Sequence, residues 1–341
     1  MDLEKGDSSM SNLRMALVGA GTMGANHARV VTETPRASLG IVIDIDPDRA
    51  RQLAERYGVA SSSNTADAAQ FDAAILATST AAHAETAVQL LEAGTPLLIE
   101  KPIATAPSDV ERVCDASKRL GVPIACGFVE RFNPVLDTAM KLLTEEPIHI
   151  VTMRHSPATP RIADSVIYDL LIHDIDLALR FMANGEVTKV SGVSWTPPMG
   201  ATTEIADCSL QFSDRGVATL SANRYGQRKL RSVQIFTSST LADLDLLRSD
   251  LTIYRHVRHE QSDAPRALTY RSETVIDIPF VRHIGEPLAR QLDHFLDLVV
   301  HDADPEAEIE SIIAPHRIAQ RVEAECLSDA RREAVFVDGT T

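Results

Sequence analysis

The chain has 341 residues, 33 Lys and Arg against 48 Asp and Glu, and a formal net charge of −15 at neutral pH. That length exceeds one ordinary hydrophobic core and predicts two domains, while 44% hydrophobic and 24% charged residues are the proportions of a globular protein. The acidic balance argues against nucleic acid or an anionic membrane as partner, since both require basic patches. No apolar run is long enough to span a bilayer, and the start Met1-Asp-Leu-Glu-Lys has neither the basic nor the apolar region of a signal peptide, which predicts a cytoplasmic protein. Cys114, Cys126, Cys208 and Cys326 are scattered without a C-x-x-C pair, so buried reduced thiols are expected and no metal site is.

In chain order, residues 1–11 are expected to be a disordered lead-in. Met15-Ala-Leu-Val then reads as a buried strand that runs into Gly19-x-Gly21-x-x-Gly24, and Thr22 to Val31 reads as a helix. A glycine loop between strand and helix suits a dinucleotide: Gly19 permits the tight turn, Gly21 the close approach of a pyrophosphate, and Gly24 close packing of helix on strand. The pyrophosphate would rest on the unpaired N–H groups of the helix start, with Thr22 and Met23 beside it. An ordinary glycine turn in another α/β unit is the alternative.

Strand and helix then alternate: strand Leu39–Ile43, helix Pro47–Tyr57 with Asp46 as its cap and Gly58 ending it, strand Ala73–Ala77, helix Ala81–Ala93, strand Pro96–Ile99, helix Ser108–Leu120 capped by Ser108, and strand Pro123–Cys126. Such alternation predicts a parallel, doubly wound sheet of the Rossmann type over residues 12–130.

Asp44, at the tip of the second strand, is placed to accept bonds from ribose hydroxyls and to repel a 2′-phosphate, which predicts NAD over NADP. Ile45 supplies no positive charge, although Arg49 and Arg51 downstream leave room for some NADP. Thr78, Ser79 and Thr80 follow a strand's carboxyl end, where they either touch the cofactor or cap the next helix. His27 and His83 stand near helix starts and read as packing or capping residues, with His83 kept among the cofactor contacts. Glu100-Lys101-Pro102 ends another strand on the same edge, and Pro102 makes Lys101 extended, so that its ammonium projects over the cofactor. There it either handles a proton or is simply an exposed turn residue.

Gly19-x-Gly21-x-x-Gly24, Asp44, Glu100-Lys101-Pro102 and, in the second half, Asp169-x-x-x-His173 together resemble the glucose-fructose oxidoreductase / inositol dehydrogenase / MocA family, over residues 14–337. Gly127-Phe-Val-Glu-Arg131-Phe-Asn133-Pro134 and Asp169-Leu-Leu-Ile-His173-Asp-Ile-Asp176 look similar to its UDP-N-acetylglucosamine 3-dehydrogenase and aminoglycoside-pathway members. Ile172 stands where many members carry glycine, a variant shared with that subgroup. The resemblance implies hydride transfer between NAD and a carbon bearing a hydroxyl, C3 of a hexose or aminosugar. It further implies Lys101 and His173 as proton-handling residues and Asp169 as a group that orients substrate hydroxyls. The cofactor contacts expected are then Gly19, Gly21, Thr22, Met23, Gly24, Asp44, Ile45, Thr78, Ser79, Thr80, His83, Glu100 and Lys101.

In the second half, Val166 to Met182 reads as a helix with Asp169, His173, Asp176 and Arg180 on one face. That face is either solvated or, with Asp169 one turn from His173, arranged to orient the imidazole. Arg131 and Asn133 either hold substrate or fix the domain junction. Arg154 and Arg161, after the strand His149–Met153, either clamp a sugar nucleotide's diphosphate or pair with nearby acids. From Lys189 the texture is extended, with strands Lys189–Trp195, Ile205–Phe212, Val217–Arg224, Arg231–Thr237, Leu241–Leu247 and Leu251–His256. Helices Pro287–Val300 and Pro315–Ala330 and a short strand Ala334–Val337 close the chain. This predicts an α+β domain over residues 131–341 with an open, largely antiparallel sheet, whose uncovered face pairs in a homodimer or homotetramer. The 3-keto product suits a PLP-dependent aminotransferase as pathway partner, in aminosugar or antibiotic biosynthesis. The rivals are an inositol or cyclitol dehydrogenase, an NADH-dependent ketosugar reductase, and a non-catalytic NAD-binding sensor.

Overall fold

The computed structural model describes residues 12–158, 164–183, 185–198, 200–213, 216–261, 269–282, 285–301 and 305–337, with backbone alone at 258–261, 269–272 and 328–337. The lead-in expected over residues 1–11 and the candidate Arg161 lie outside the described residues. Two compact units emerge. One holds the chain up to Phe128 together with Leu288–Ile313, the other Val129–Pro287 and the chain from Ala314 on. Residues 288–313 were expected with the second half. They join the first because Leu292, Phe295 and Leu296 pack into the core formed by Met15, Leu17, Ile75 and Leu98, and Arg36 pairs with Asp297 at 2.5 Å.

The first unit runs β1 (Leu13–Val18), α1 (Thr22–Glu33), β2 (Ala37–Ile43), α2 (Pro47–Tyr57), β3 (Ala60–Ser62), a 3-10 turn at Thr65–Gln70, β4 (Ala73–Leu76), α3 (Thr80–Glu92), β5 (Leu97–Ile99), α4 (Pro107–Leu120) and β6 (Ile124–Cys126). The strands are parallel throughout and ordered β3-β2-β1-β4-β5-β6. The chain therefore reverses direction across the sheet between β1 and β4, the place where open α/β sheets bind ligands at their carboxyl edge. Local chemistry sets the helix ends. Asp46 accepts the N–H groups of Asp48 and Arg49 at 3.0 and 3.3 Å, Pro47 opens α2, and Gly58 closes it at φ 67°. At α4 the expected Ser108 cap is corrected: Ala106 holds the capping position and Pro107 the first turn, so Ser108 is already inside the helix.

The second unit opens with a 3-10 turn at Val129–Phe132, then α5 (Pro134–Leu142), β7 (His149–His155), a π-helical turn at Ile167–Leu171 and α6 (Ile172–Phe181). It continues with β8 (Val187–Trp195), β9 (Ile205–Phe212), β10 (Gly216–Asn223), β11 (Leu230–Phe236), β12 (Thr240–Asp245), β13 (Asp250–Gln261) and β14 (Thr269–Asp277). These eight strands form one sheet, ordered β14-β13-β12-β11-β7-β10-β9-β8, antiparallel except between β7 and β10. Alternation sorts the faces: Ala206, Cys208, Leu210 and Phe212 are buried with Ala218, Leu220, Val233 and Ile235. On the other face stand Met153, Val193, Trp195 and Val217, each more than a third exposed.

The chain ends in α7 (Pro287–Val300) and α8 (Glu306–Val337), where two expectations are corrected. The last helix starts at Glu306 and runs through Pro315, at the loss of one backbone bond. The backbone at Ala334–Val337 is helical, because β-branched content is a weak preference against a helix already propagating. The strand β14 was not expected at all. All four cysteines are buried.

Candidate functional site

In the first unit the glycine loop fits its expected ligand. Gly19 has φ 107°, open to glycine, and a side chain there would overlap the Ala77 carbonyl at the end of β4. A side chain at Gly24 would overlap the Gly19 carbonyl, whereas nothing lies within 4 Å of a Cβ built on Gly21. Gly21 caps α1, with no capping side chain and no acid in the first turn. The N–H groups at the start of the helix thus face open space, as a pyrophosphate requires. Thr22, Met23 and Ile45 are exposed beside them, Ile45 at 93%.

Asp44 makes two backbone contacts that the sequence did not predict. Its Oδ2 accepts the N–H of Ala20 at 2.7 Å and its Oδ1 that of Asp46 at 2.9 Å, so the carboxylate pins the glycine loop to the end of β2. Each oxygen keeps acceptor capacity for a ribose hydroxyl.

On the same carboxyl edge, Thr78 and Ser79 lead from β4 into α3. Ser79 occupies the capping position without a side-chain cap bond, so its hydroxyl is not spent on the helix. Thr78 is half-buried and its hydroxyl lies 3.5 Å from the Ser79 carbonyl, while Thr80 is the first residue of α3. Two of the expected cofactor contacts, His83 and Glu100, have side chains engaged inside the unit. The ring of His83 is buried, Nδ1 at 2.9 Å from the Pro102 carbonyl and Nε2 at 3.2 Å from that of Thr78. The carboxylate of Glu100 is held by His27 at 2.7 Å and by the Lys101 N–H at 3.2 Å. Both residues are supports beneath the edge. Lys101 itself is half-buried, and the Lys101–Pro102 peptide is cis.

In the second unit Val129–Pro134 and Asp169–Asp176 meet through ion pairs. Arg131 holds Asp176 with Nη2 at 2.7 Å from Oδ1 and Nε at 2.9 Å from Oδ2. Arg154, 2% exposed, lies between Asp174 at 2.8 Å and Glu130 at 2.7 Å, and Arg231 reaches the same Glu130 oxygen at 3.0 Å. Burial pushes the Glu130 carboxyl up, but the charges of Arg154 and Arg231 more than reverse this and leave it below the usual carboxylate range. At Asp174, fully enclosed, burial outweighs the pull of Arg154 and the carboxyl is raised. Asn133 caps α5 through the Val135 N–H and donates to the Leu246 carbonyl at 3.0 Å.

Of the two readings left open for Arg154, clamping a diphosphate or pairing with nearby acids, the structure holds the second, and Arg131 is likewise enclosed and committed to a carboxylate. Asn133 is likewise a framework residue. The single helical face is corrected. Asp169 lies in the π-helical turn, where the chain advances more residues per turn than an α-helix. Asp176 is buried and Arg180 exposed. Asp169 keeps a side chain 17% exposed and accepts Nη1 of Arg224 at 3.4 Å. Arg224 also binds Glu204 at 2.8 Å and the Asp164 carbonyl at 2.8 Å. No sequence signal pointed to Arg224 or Glu204, which lie 55 and 35 residues from Asp169. His173, 8% exposed, opens α6 beside Ile172. Among the described residues no cluster of His, Cys, Asp and Glu is arranged to hold a metal.

Comparison with known proteins agrees with this anatomy. Residues 13–128 match the oxidoreductase family with an NAD-binding Rossmann fold, and residues 147–240 match the GFO/IDH/MocA C-terminal domain. The UDP-N-acetylglucosamine 3-dehydrogenase of Acidithiobacillus ferrooxidans is 28% identical over 316 residues, covering 90% of this chain and 91% of the relative. Its solved structure superposes with a TM-score of 0.80 at 23% identity, over 92% of this chain and 97% of that one. The inositol 2-dehydrogenase of Mycolicibacterium smegmatis is 32% identical over 58% of this chain, which spans 61% of that relative's length. GenD2 from gentamicin A biosynthesis, solved in complex with NAD, shares the fold with a TM-score of 0.76 at 17% identity, over 96% of this chain and 97% of that one. No helix among the described residues is long and apolar enough to cross a membrane. The chain belongs to the GFO/IDH/MocA family of NAD-dependent oxidoreductases acting on CH–OH groups.

Proposed function

We propose that the protein oxidises a secondary hydroxyl, C3, of a hexose or aminosugar unit to the 3-keto sugar. The observation that carries this reading is the match to a sugar 3-dehydrogenase along nine-tenths of both chains, with Lys101, Asp169 and His173 present. NAD, when bound, accepts the hydride from the carbon. The glycine loop and α1 hold the pyrophosphate, and Asp44 receives the ribose hydroxyls. Lys101, in its neutral form, takes the hydroxyl proton on Nζ. His173 serves as the second proton-handling group, and Asp169 accepts hydrogen bonds from neighbouring substrate hydroxyls. In the reverse direction the same groups return the proton, so ketosugar reduction remains within the chemistry.

A UDP-linked aminosugar is the first substrate reading, since that is the substrate in the relative's name. A second reading has its own support. With Arg154 enclosed, one of the two arginines expected for a diphosphate is already spent, and Arg131 is paired as well. An unphosphorylated polycation such as an aminoglycoside suits a chain of net charge −15. Homodimerisation or tetramerisation through the exposed face of the eight-stranded sheet, a cytoplasmic location, and a PLP-dependent aminotransferase acting next on the ketone belong to the same proposal. The apolar side chains Met153, Val193 and Trp195 support the first of these.

The test is incubation with NAD and a panel of UDP-hexoses, free aminosugars, aminoglycosides and inositols, following NADH with a ketone trap present. UDP-sugar turnover supports the first reading and aminoglycoside turnover the second. Inositol turnover alone moves the assignment to a cyclitol dehydrogenase. NAD binding without turnover on any member points to a sensor. Lys101→Ala is expected to lower kcat by about 10²–10⁴, and full activity in that variant overturns the mechanism.

A further inference from the structure

The carboxylate of Glu100 is gripped from three sides within the first unit. Its Oε1 lies 2.7 Å from Nε2 of His27 on α1, and its Oε2 lies 3.2 Å from the backbone N–H of Lys101. Behind it, Gly127 approaches so closely that a Cβ there would stand 2.7 Å from Oε2 and 2.9 Å from the Lys101 nitrogen. The pair is withdrawn from water, with side chains 0% and 10% exposed. Nδ1 of His27 is buried with no hydrogen-bond partner among the described residues. The tautomer that fits therefore carries its hydrogen on Nε2 and donates it to Glu100, because a hydrogen on Nδ1 would be stranded.

We propose that His27 is a positioning residue for Lys101, acting through the Glu100 carboxylate. The inference rests on the reading of Lys101 as the proton-handling group. One oxygen of Glu100 fastens to the helix that follows the glycine loop, and the other fastens to the backbone N–H from which the Lys101 side chain departs. The carboxylate thus ties the helix that seats the cofactor to the backbone of the residue that meets the substrate hydroxyl. Removing the His27 donor leaves a buried carboxylate short of one partner, and it regains solvation by turning. That turn releases the Lys101 N–H, which Oε2 accepts. A displacement of about 1 Å at a reacting group costs on the order of a hundredfold in rate. A purely structural His27–Glu100 pair differs in one respect: its loss would weaken the fold without acting through Lys101.

The experiment compares His27→Leu, which keeps bulk and loses the donor, with His27→Gln, which keeps a donor near the Nε2 position, each with and without Lys101→Ala. The full-length chain is assayed with NAD and UDP-N-acetylglucosamine, or with whichever panel sugar turns over. Expected are a kcat lowered about ten- to hundredfold in His27→Leu, recovery to within about threefold in His27→Gln, and an NAD Kd within about twofold of wild type in both. On the Lys101→Ala background, His27→Leu should cost less than about threefold more, because a residue acting through Lys101 has nothing left to act on.

Trace acetylation by acetic anhydride, read lysine by lysine, reports the same coupling without turnover. The rate at Lys101 should change by about threefold or more in His27→Leu and recover in His27→Gln, with Lys118 and Lys141 unaltered. Should His27→Leu fail to fold, Gly127→Ala presses on the carboxylate from the opposite side and should lower kcat and alter Lys101 labelling with NAD affinity kept. The proposal is overturned by wild-type kcat and labelling in His27→Leu, by His27→Gln as impaired as His27→Leu, or by a full additive loss on Lys101→Ala. Full turnover in Lys101→Ala instead removes the reading of Lys101, and the labelling still judges its coupling to His27.

Discussion

Arg131 and Asp176, 45 residues apart, face each other with two N–H groups against two carboxylate oxygens, Nη2 at 2.7 Å and Nε at 2.9 Å, and side chains only 6% and 3% exposed. The pair makes a bond between two sequence motifs that otherwise read as substrate-binding. Arg131→Met strands Asp176 as a buried charge and should cost about 3–5 kcal/mol in urea unfolding. Arg131→Met with Asp176→Leu should recover most of that loss, since an apolar pair needs no compensation. A raised substrate KM with unchanged stability in the single variant would return Arg131 to the substrate site.

What the sequence made legible was local. The glycine loop, Asp46 with Pro47 and Gly58 at the ends of α2, and the alternation of β9 each depend on residues a few positions apart, so spacing alone specifies them. The partners of a guanidinium do not. Arg154 finds Asp174 and Glu130 20 and 24 residues away, and His27 finds Glu100 at a separation of 73. None of these pairs leaves a periodic trace, and from the sequence Arg154 looks like any loop arginine beside a strand. The helical-face reading of Asp169, His173, Asp176 and Arg180 assumed 100° per residue, which the π-helical turn at Ile167–Leu171 breaks. Pro315 and the segment Ala334–Val337 misled for a related reason: both were judged on local preference, and a propagating helix overrode it.

Asp44 holds the glycine loop, and in the proposed function the remaining acceptor capacity of its carboxylate goes to the cofactor's ribose. Asp44→Ala removes both functions. NAD affinity should fall about tenfold or more by calorimetric titration, as expected for losing hydrogen bonds to a charged acceptor. NADP affinity should fall less or rise, because the repulsion of a 2′-phosphate goes with the carboxylate. An unaltered ratio of NAD to NADP affinity would remove Asp44 from cofactor selection.

Glu130 gives a pH dependence with a definite sign. Its carboxyl, pushed up by burial and then held low overall by Arg154 and Arg231, ionises in the folded chain below the ordinary value of 4.5. A depressed folded value means that the unfolded chain binds the proton first. The stabilisation is present above pH 4.5 and is lost as the pH falls from there through the folded value. Asp174, raised by burial, runs the other way: it opposes folding above its folded value and ceases to do so as it takes up a proton on acidification. Because both residues contribute in wild type, the test is a difference. The stability of wild type minus that of Glu130→Gln, from urea unfolding at a series of pH values, should shrink below pH 4.5 and stay level above it. A difference that grows on acidification contradicts the ion pairing described for Glu130.

Arg224 and Asp169 allow a structural contribution to be separated from a substrate contact at one site. Arg224 is 2% exposed and holds Glu204 with Nε at 2.8 Å and Nη2 at 3.0 Å, while Asp169 lies at 3.4 Å with a side chain 17% exposed. Arg224→Met leaves Glu204 and Asp169 without this guanidinium and should destabilise the chain by about 3–5 kcal/mol. Asp169→Asn keeps volume and removes charge at the half-open end of the cluster. It should change stability by less than about 1 kcal/mol, because the Asp169 contact is long and partly exposed. Its effect should fall on turnover: a substrate KM raised about tenfold, the worth of one hydrogen bond to a charged group. Urea unfolding and steady-state kinetics on the same two variants decide the matter. Asp169→Asn that unfolds as readily as Arg224→Met, or that leaves KM and kcat untouched, would place Asp169 in the framework with Arg131 and Arg154.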